Sequence, residues 1–168
     1  MILMNGRINN KKNRLILYGA LISNLAALAY TMRKAPRKDW IFVYLFNSIT
    51  NVALDTILVR NKVLEYPIRL FPRVFKINVL FDLLIYPTMT VFYNKWTNKD
   101  KSNMTRIVKL LCFSVPFSII EGWFHSSTML IKWKRWYSWY HTFIGLTTKS
   151  YITRLFLDIF RRYAKLKS

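Results

Sequence analysis

Apolar runs of about membrane-spanning length, separated by short basic connections, constrain this chain more than any other feature. A run of about 20 apolar residues crosses a hydrocarbon core as a helix, because only internally paired backbone survives where there is no water. The runs 15–31, 40–58, 74–93 and 110–131 meet or approach that length. A further stretch, 136–160, is apolar enough to count but carries Lys149, Arg154 and Asp158. It reads either as a fifth span whose charges face the bundle or as an amphipathic helix at the surface. The expected fold class is all-α, a helical transmembrane bundle of four or five spans. Residues 1–168 form a single multi-pass membrane domain in this reading.

Basic residues number 27 against 7 acidic ones, for a formal charge of +20. Such a balance first suggests nucleic acid. The Lys and Arg residues flank apolar runs, however, instead of covering one polar face, so the phospholipid bilayer with its anionic headgroups is the expected partner and nucleic acid is not. Trp40, Tyr93, Trp96, Trp133 and Trp136 stand where runs end, as interfacial aromatics do. The basic segment Met1–Arg14 is expected on the cytoplasmic side of the cell membrane, with 15–31 as a retained first span rather than a cleaved signal. Five spans would divide Lys and Arg almost evenly between the two sides. Four would gather the N-terminal and C-terminal charges on one side.

Polar residues inside the runs carry the functional question. Asn47, Asn51 and Asp55 recur at i, i+4, i+8 and share one helix face. Gly19, Ser23 and Ala27 form a small-residue stripe suited to close helix packing. Asp82 lies mid-run, and Pro87 removes a backbone donor and predicts a kink. Glu121 and His125 are spaced to hydrogen-bond, and Arg154 and Asp158 to pair. A carboxylate at such depth costs on the order of 3 kcal/mol unless neutral or paired. Asp82 and Glu121 therefore either line a polar path or pair with Lys76, Arg106 or Arg154 to fix the packing.

Between the second and third runs, Val59–Arg73 is too polar to span. Pro67 and Pro72 interrupt any helix there, so an interfacial or re-entrant segment is expected, with Arg69 and Arg73 reaching headgroups. No glycine-rich phosphate loop, HExxH or nucleophile elbow is present, and the 4 glycines exclude a Rossmann site. No catalytic residue, cofactor or metal is assigned. His125, His141, Glu121, Asp82 and Asp55 are the sensible pool from which metal ligands would have to come. Cys112 reads as a small hydrophobe.

The segment EYPIRLFPRVFKINVLFDLL, followed by YPTMTVFYN, resembles a family of small multi-pass integral membrane proteins from Bacillus and Clostridium relatives. The shared pattern falls on Glu65, Tyr66, Pro67, Arg69, Pro72, Phe75, Lys76, Phe81, Asp82, Pro87, Phe92, Tyr93 and Asn94. Downstream, SVPFSIIEGWF and LIKWKRWYSWYHTFIGL match further stretches, so the resemblance covers roughly Asp39 to Arg162. It implies a helical protein of four or five spans in the membrane of a spore-forming bacterium, and carries over no activity or substrate.

The candidate positions are then Asp55, Glu65, Arg69, Lys76, Asp82, Glu121, His125 and Arg154. The first functional reading is an accessory or structural bundle component, within a homo-oligomer or beside a partner membrane protein. The alternative is a small transporter or channel-like protein using Asp82 and Glu121. A lipid-acting enzyme comes third.

Overall fold

A computed structural model describes residues 2–33, 36–100 and 102–166. Five α-helices follow one another: α1 (Ile2–Met32), α2 (Arg37–Arg60), α3 (Tyr86–Trp96), α4 (Asn103–Ser127) and α5 (Trp139–Leu166). A π-helical turn, Phe81–Ile85, leads directly into α3. Two very short strands, β1 (Leu64–Glu65) and β2 (Lys132–Trp133), pair antiparallel with Leu64 opposite Trp133.

The polarity of the bundle is inverted relative to a water-soluble protein. Leu15, Ile22 and Leu25 of α1, Ile41, Leu45 and Ile49 of α2, and Val108, Val115 and Ile119 of α4 face outward. Asn47, Asn51, Asp55, Asp82, Thr90, Asn94, Ser114, Ser118, Ser150, Thr153 and Arg154 are buried. In water such an arrangement would forfeit most of the hydrophobic driving force; in lipid it satisfies both sides. Among the described residues three helices, 11–32, 37–60 and 103–127, are long and apolar enough to cross a membrane. The protein is a multi-pass, membrane-associated helical protein.

α3 is the central element. It and the π turn pack against α1 and α2, and α3 also meets α4. Tyr86, Thr88, Thr90, Val91, Tyr93 and Asn94 are almost fully enclosed. Protein surrounds them, so this helix tolerates a polar composition that a lipid-facing helix would not. α5 lies against α4 and α2. Its charged residues Lys149 and Arg154 turn inward, while Ile144, Ile152, Leu155, Phe156 and Ile159 face out.

The helix ends differ from the apolar runs for local reasons. α2 stops at a Schellman arrangement: Lys62 takes φ 57°, the Val63 N–H reaches the Leu58 carbonyl at 2.9 Å, and the Lys62 N–H reaches the Val59 carbonyl at 3.0 Å. The third run, expected to be helical from Val74, begins its helix only at Val79. Residues 66–78 are instead a folded loop around Arg69. α4 ends at Ser127, short of the expected Ile131, because the Thr128 hydroxyl bonds the Phe124 carbonyl at 2.6 Å and accepts the Leu130 N–H at 3.1 Å. At the start of α5, His141 Nδ1 accepts the Ser138 N–H at 3.1 Å while the His141 N–H bonds Ser138 O at 3.0 Å. This is the reach-back half of a capping box, with histidine in the glutamate position.

Before Pro87, where a kink is expected, the chain makes a π turn. The Tyr86 N–H bonds Phe81 O, five residues back. Pro87 has no N–H to offer the Leu83 carbonyl, and Tyr44 of α2 donates its hydroxyl to that carbonyl at 2.5 Å. Asn51 Nδ2 reaches the Asp82 carbonyl at 3.4 Å. The freed backbone is thus answered by the neighbouring helix.

The small-residue stripe on α1 is not a packing face within the chain. Gly19 and Ser23 are exposed, and a Cβ added at Gly19 would meet nothing within 4 Å. α1 packs through Leu17 against Leu80, Leu84 and Leu130 instead.

Candidate functional site

The connections 61–78 and 128–138 fold together at one end of the bundle. The β1–β2 pair joins them, as do bonds from the Lys134 N–H to Val63 O at 2.9 Å and from the Ile68 N–H to Met129 O at 3.0 Å. The segment around Pro67 and Pro72, expected to be interfacial or re-entrant, is thereby bonded to the 128–138 connection, and the two form a cap. Arg69, expected to reach headgroups, folds back and bonds three carbonyls: Phe75 at 2.6 Å, Tyr66 at 2.6 Å and Pro72 at 3.2 Å. Glu65 and Lys134 form a half-exposed ion pair across the cap. Lys76 and Arg73 are exposed, beside the exposed apolar side chains Phe71, Val74 and Phe75.

Beneath the cap lies a cavity of about 360 Å³. All five helices, the π turn and both cap segments contribute to it. Most of its wall is apolar, including Leu17, Leu54, Phe81, Phe117, Phe124 and Leu146. Its charged lining groups are Asp55, Asp82, Glu121 and Lys149. α1 and α4 both pack on the central helix but share no extended seam, and Ile120 and Leu54 line the cavity while 48% and 51% exposed. The space therefore reaches toward the outer surface of the bundle.

Each acidic group has a different setting. Asp55 Oδ1 accepts the Tyr66 hydroxyl at 2.8 Å, and Oδ2 accepts the Asn78 N–H at 3.3 Å. Burial, with the neighbouring Asp55 carboxylate, pushes the Tyr66 hydroxyl well above its ordinary range, so it remains a donor. Glu121 Oε1 accepts Thr142 Oγ1 at 2.8 Å and Trp133 Nε1 at 3.2 Å. Tyr137 lies beside this group, and burial pushes its hydroxyl up to about 12, with the Glu121 charge adding to the effect. Asp82 is 2% exposed, and among the described residues no N–H or hydroxyl group reaches its Oδ2. The Asp55 and Asp82 carboxyl groups hydrogen-bond to each other.

Lys149 enters from α5. Its ammonium donates to Asn51 Oδ1 and to the Asn47 carbonyl at 3.4 Å, and sits 4.8 Å from the Tyr86 ring centre. Thr153 completes the cluster by bonding Asn47 Oδ1 at 3.3 Å. The polar face 47–51–55 is therefore assembled as its spacing predicts, and it meets α5.

The candidate positions separate into groups. Asp55, Asp82 and Glu121 meet at the cavity. Glu65, Arg69 and Lys76 belong to the cap. His125 does not hydrogen-bond Glu121: its Nδ1 accepts the Trp133 backbone N–H at 3.0 Å and its ring stacks on Trp133 at 4.5 Å. Arg154 pairs with Asp158 at 3.2 Å as its spacing predicts, and also bonds the Asn94 carbonyl at 3.2 Å. Arg106 joins the same Asp158 at 3.2 Å, away from Glu121. The expected pairing of Asp82 with Lys76 is not made; Lys149 supplies the nearby charge. Sequence reasoning passed over Lys149 as a site residue, together with Tyr66, Tyr86 and Thr142. The one available signal was a lone lysine within an otherwise uncharged stretch of α5.

Among the described residues no group of His, Cys, Asp and Glu is arranged to hold a metal ion. The chain matches no protein-family model, no curated protein and no solved structure.

Proposed function

We propose that the protein crosses the membrane five times and holds a small, largely apolar ligand in its central cavity, as a small carrier would. Asp82 carries the reading. A structural bundle gains nothing from burying a carboxyl group that meets only a second carboxyl group beside an open space, and leaving such a group without an N–H or hydroxyl donor costs on the order of 1–3 kcal/mol or more. A ligand that supplies the missing partner would recover that cost. The inward charges and outward apolar face of α5 support the fifth crossing. In this topology the N-terminus and the cap share one side, proposed as cytoplasmic, and the C-terminus lies opposite.

The cap's exposed Phe71, Val74 and Phe75, flanked by Arg73 and Lys76, suit an interface with anionic headgroups. The resemblance of Glu65–Asn94 to the Bacillus and Clostridium membrane family belongs to the same proposal. Its pattern residues Tyr66, Arg69, Asp82 and Pro87 are the ones that build the cap, the carboxyl pair and the π turn. A purely accessory role is the second reading. It is favoured by the ion pairs that fasten the other end, Asp39 to Arg161 at 2.6 Å and Asp158 to both Arg106 and Arg154.

The open side of the cavity can be obstructed to test the proposal. Gly145 lines it, and an added Cβ there meets nothing within 4 Å. The wild-type protein and Gly145→Leu are compared by thermal unfolding in nanodiscs against a panel of cationic, neutral and anionic small amphiphiles. At least one class is expected to raise the Tm of the wild type and to lose its effect on Gly145→Leu. If no class shifts the wild type while Gly145→Leu is simply more stable, the cavity is a packing void and the proposal fails.

A further inference from the structure

The cavity already holds one ammonium group, and the way it is held indicates what else the site accepts. Asn51 Oδ1, the Asn47 carbonyl and the face of the Tyr86 ring surround Lys149 Nζ. An aromatic face and neutral oxygens form a setting for a weakly hydrated cation. Lys149 comes from one wall and leaves Asp82 Oδ2 without a donor. Charged groups lining the space are Asp55, Asp82 and Glu121 against Lys149 alone, so carboxyl groups are in excess. Glu121 is held by Thr142 and Trp133, and Asp55 by Tyr66 and the Asn78 N–H, whereas among the described residues Asp82 Oδ2 meets no N–H or hydroxyl donor and its carboxyl group bonds that of Asp55. The rest of the wall is aliphatic and aromatic, with Phe81, Phe117 and Phe124 beside it.

From this juxtaposition we infer that the ligand is an organic cation, an ammonium group carried on an apolar body, with its charge against Asp82 and its body along Phe81, Phe117 and Phe124. This rests on the ligand-holding reading of the cavity. An anion would meet the carboxyl groups with only Lys149 to answer it, and Lys149 is engaged by Asn51. A neutral amphiphile would fit the walls and can donate a hydrogen bond, but it leaves the excess of carboxyl groups over Lys149 unbalanced. A cation balances the excess of carboxyl groups over Lys149 and keeps the apolar contacts, whereas a neutral body does only the second. Lys149 then acts as a tethered competitor, an internal ammonium that partly neutralises the site when it is empty.

The full chain in nanodiscs of zwitterionic lipid is titrated with phenyltrimethylammonium, with its neutral isostere tert-butylbenzene and with benzenesulfonate, reading the unfolding temperature. The cation alone is expected to raise it. Asp82→Asn, which keeps the side-chain shape, should weaken the apparent affinity for phenyltrimethylammonium at least tenfold. Lys149→Met should tighten it. An equal shift with tert-butylbenzene, any shift with benzenesulfonate, or unchanged affinity in Asp82→Asn overturns the inference. A shift with tert-butylbenzene alone, blocked by Gly145→Leu, would retain the cavity reading and reject the cation. No shift with any of the three, together with a more stable Gly145→Leu, would reject both.

Discussion

Arg69 holds together a loop that contains two prolines and few backbone bonds of its own. Its planar guanidinium reaches three carbonyls in different directions, which a lysine ammonium on a flexible stem cannot do. Arg69→Lys is therefore expected to lose about 2 kcal/mol of stability. Limited proteolysis should show the loss first as faster cleavage within 66–78, and unchanged cleavage there would assign the loop's order to its packing instead. The sequence suggested a headgroup role for Arg69 because nothing along the chain reveals that neighbouring carbonyls will lack partners. Lys149 was obscured for the same reason: its partners Asn47 and Asn51 lie far from it in the chain. Arg154 and Asp158, one helical turn apart, were legible. Arg154 is 2% exposed, and Asp158 offsets both it and Arg106. Asp158→Asn should cost on the order of 2 kcal/mol in a chemical unfolding titration, since it leaves two cations facing each other. Arg106→Gln added to it should recover part of that loss.

At the level of the element, Pro87 and Tyr44 act as a pair on two helices. Proline frees the Leu83 carbonyl, and the tyrosine hydroxyl takes it. Tyr44→Phe is expected to destabilise by about 1 kcal/mol. In a Pro87→Ala background, where a backbone N–H is restored, the same change should cost measurably less. Additive losses in that double-mutant cycle would mean the two residues are unconnected. Hydrophobic runs disclosed which elements exist, because run length and polarity are local properties. They did not disclose the ends. Thr128, Lys62 and His141 set those through hydrogen bonds or backbone conformations that a hydropathy pattern does not contain. The third run was the least legible. Its first residues, 74–78, are as apolar as a helix start but belong to the loop that Arg69 organises.

For the molecule as a whole, the inward polar surface carries the membrane reading. Its most direct test is topological. Reporters placed after Lys62 and after Arg135 are expected on the same side as the N-terminus, and one after Ser168 on the opposite side. A C-terminal reporter on the N-terminal side would return α5 to the surface of the membrane. The bundle was legible in outline, since Asn47, Asn51 and Asp55 announced an interior face. The cavity was not, because it exists only where five helices meet.

The pairing of β1 with β2 has a consequence for how the protein is made. β1 leaves the ribosome early, and its partner follows only after α3 and α4 have been synthesised. At about 5–20 residues per second, the stretch 61–78 waits several seconds without the bonds that Val63, Leu64, Glu65 and Ile68 make to 129–134. A chain halted before Lys132 should accordingly be cut within 61–78 by an added protease, and become resistant once synthesis passes Tyr137. The lid over the central space is thus among the last parts to close, and the nascent bundle is open at that end until it does.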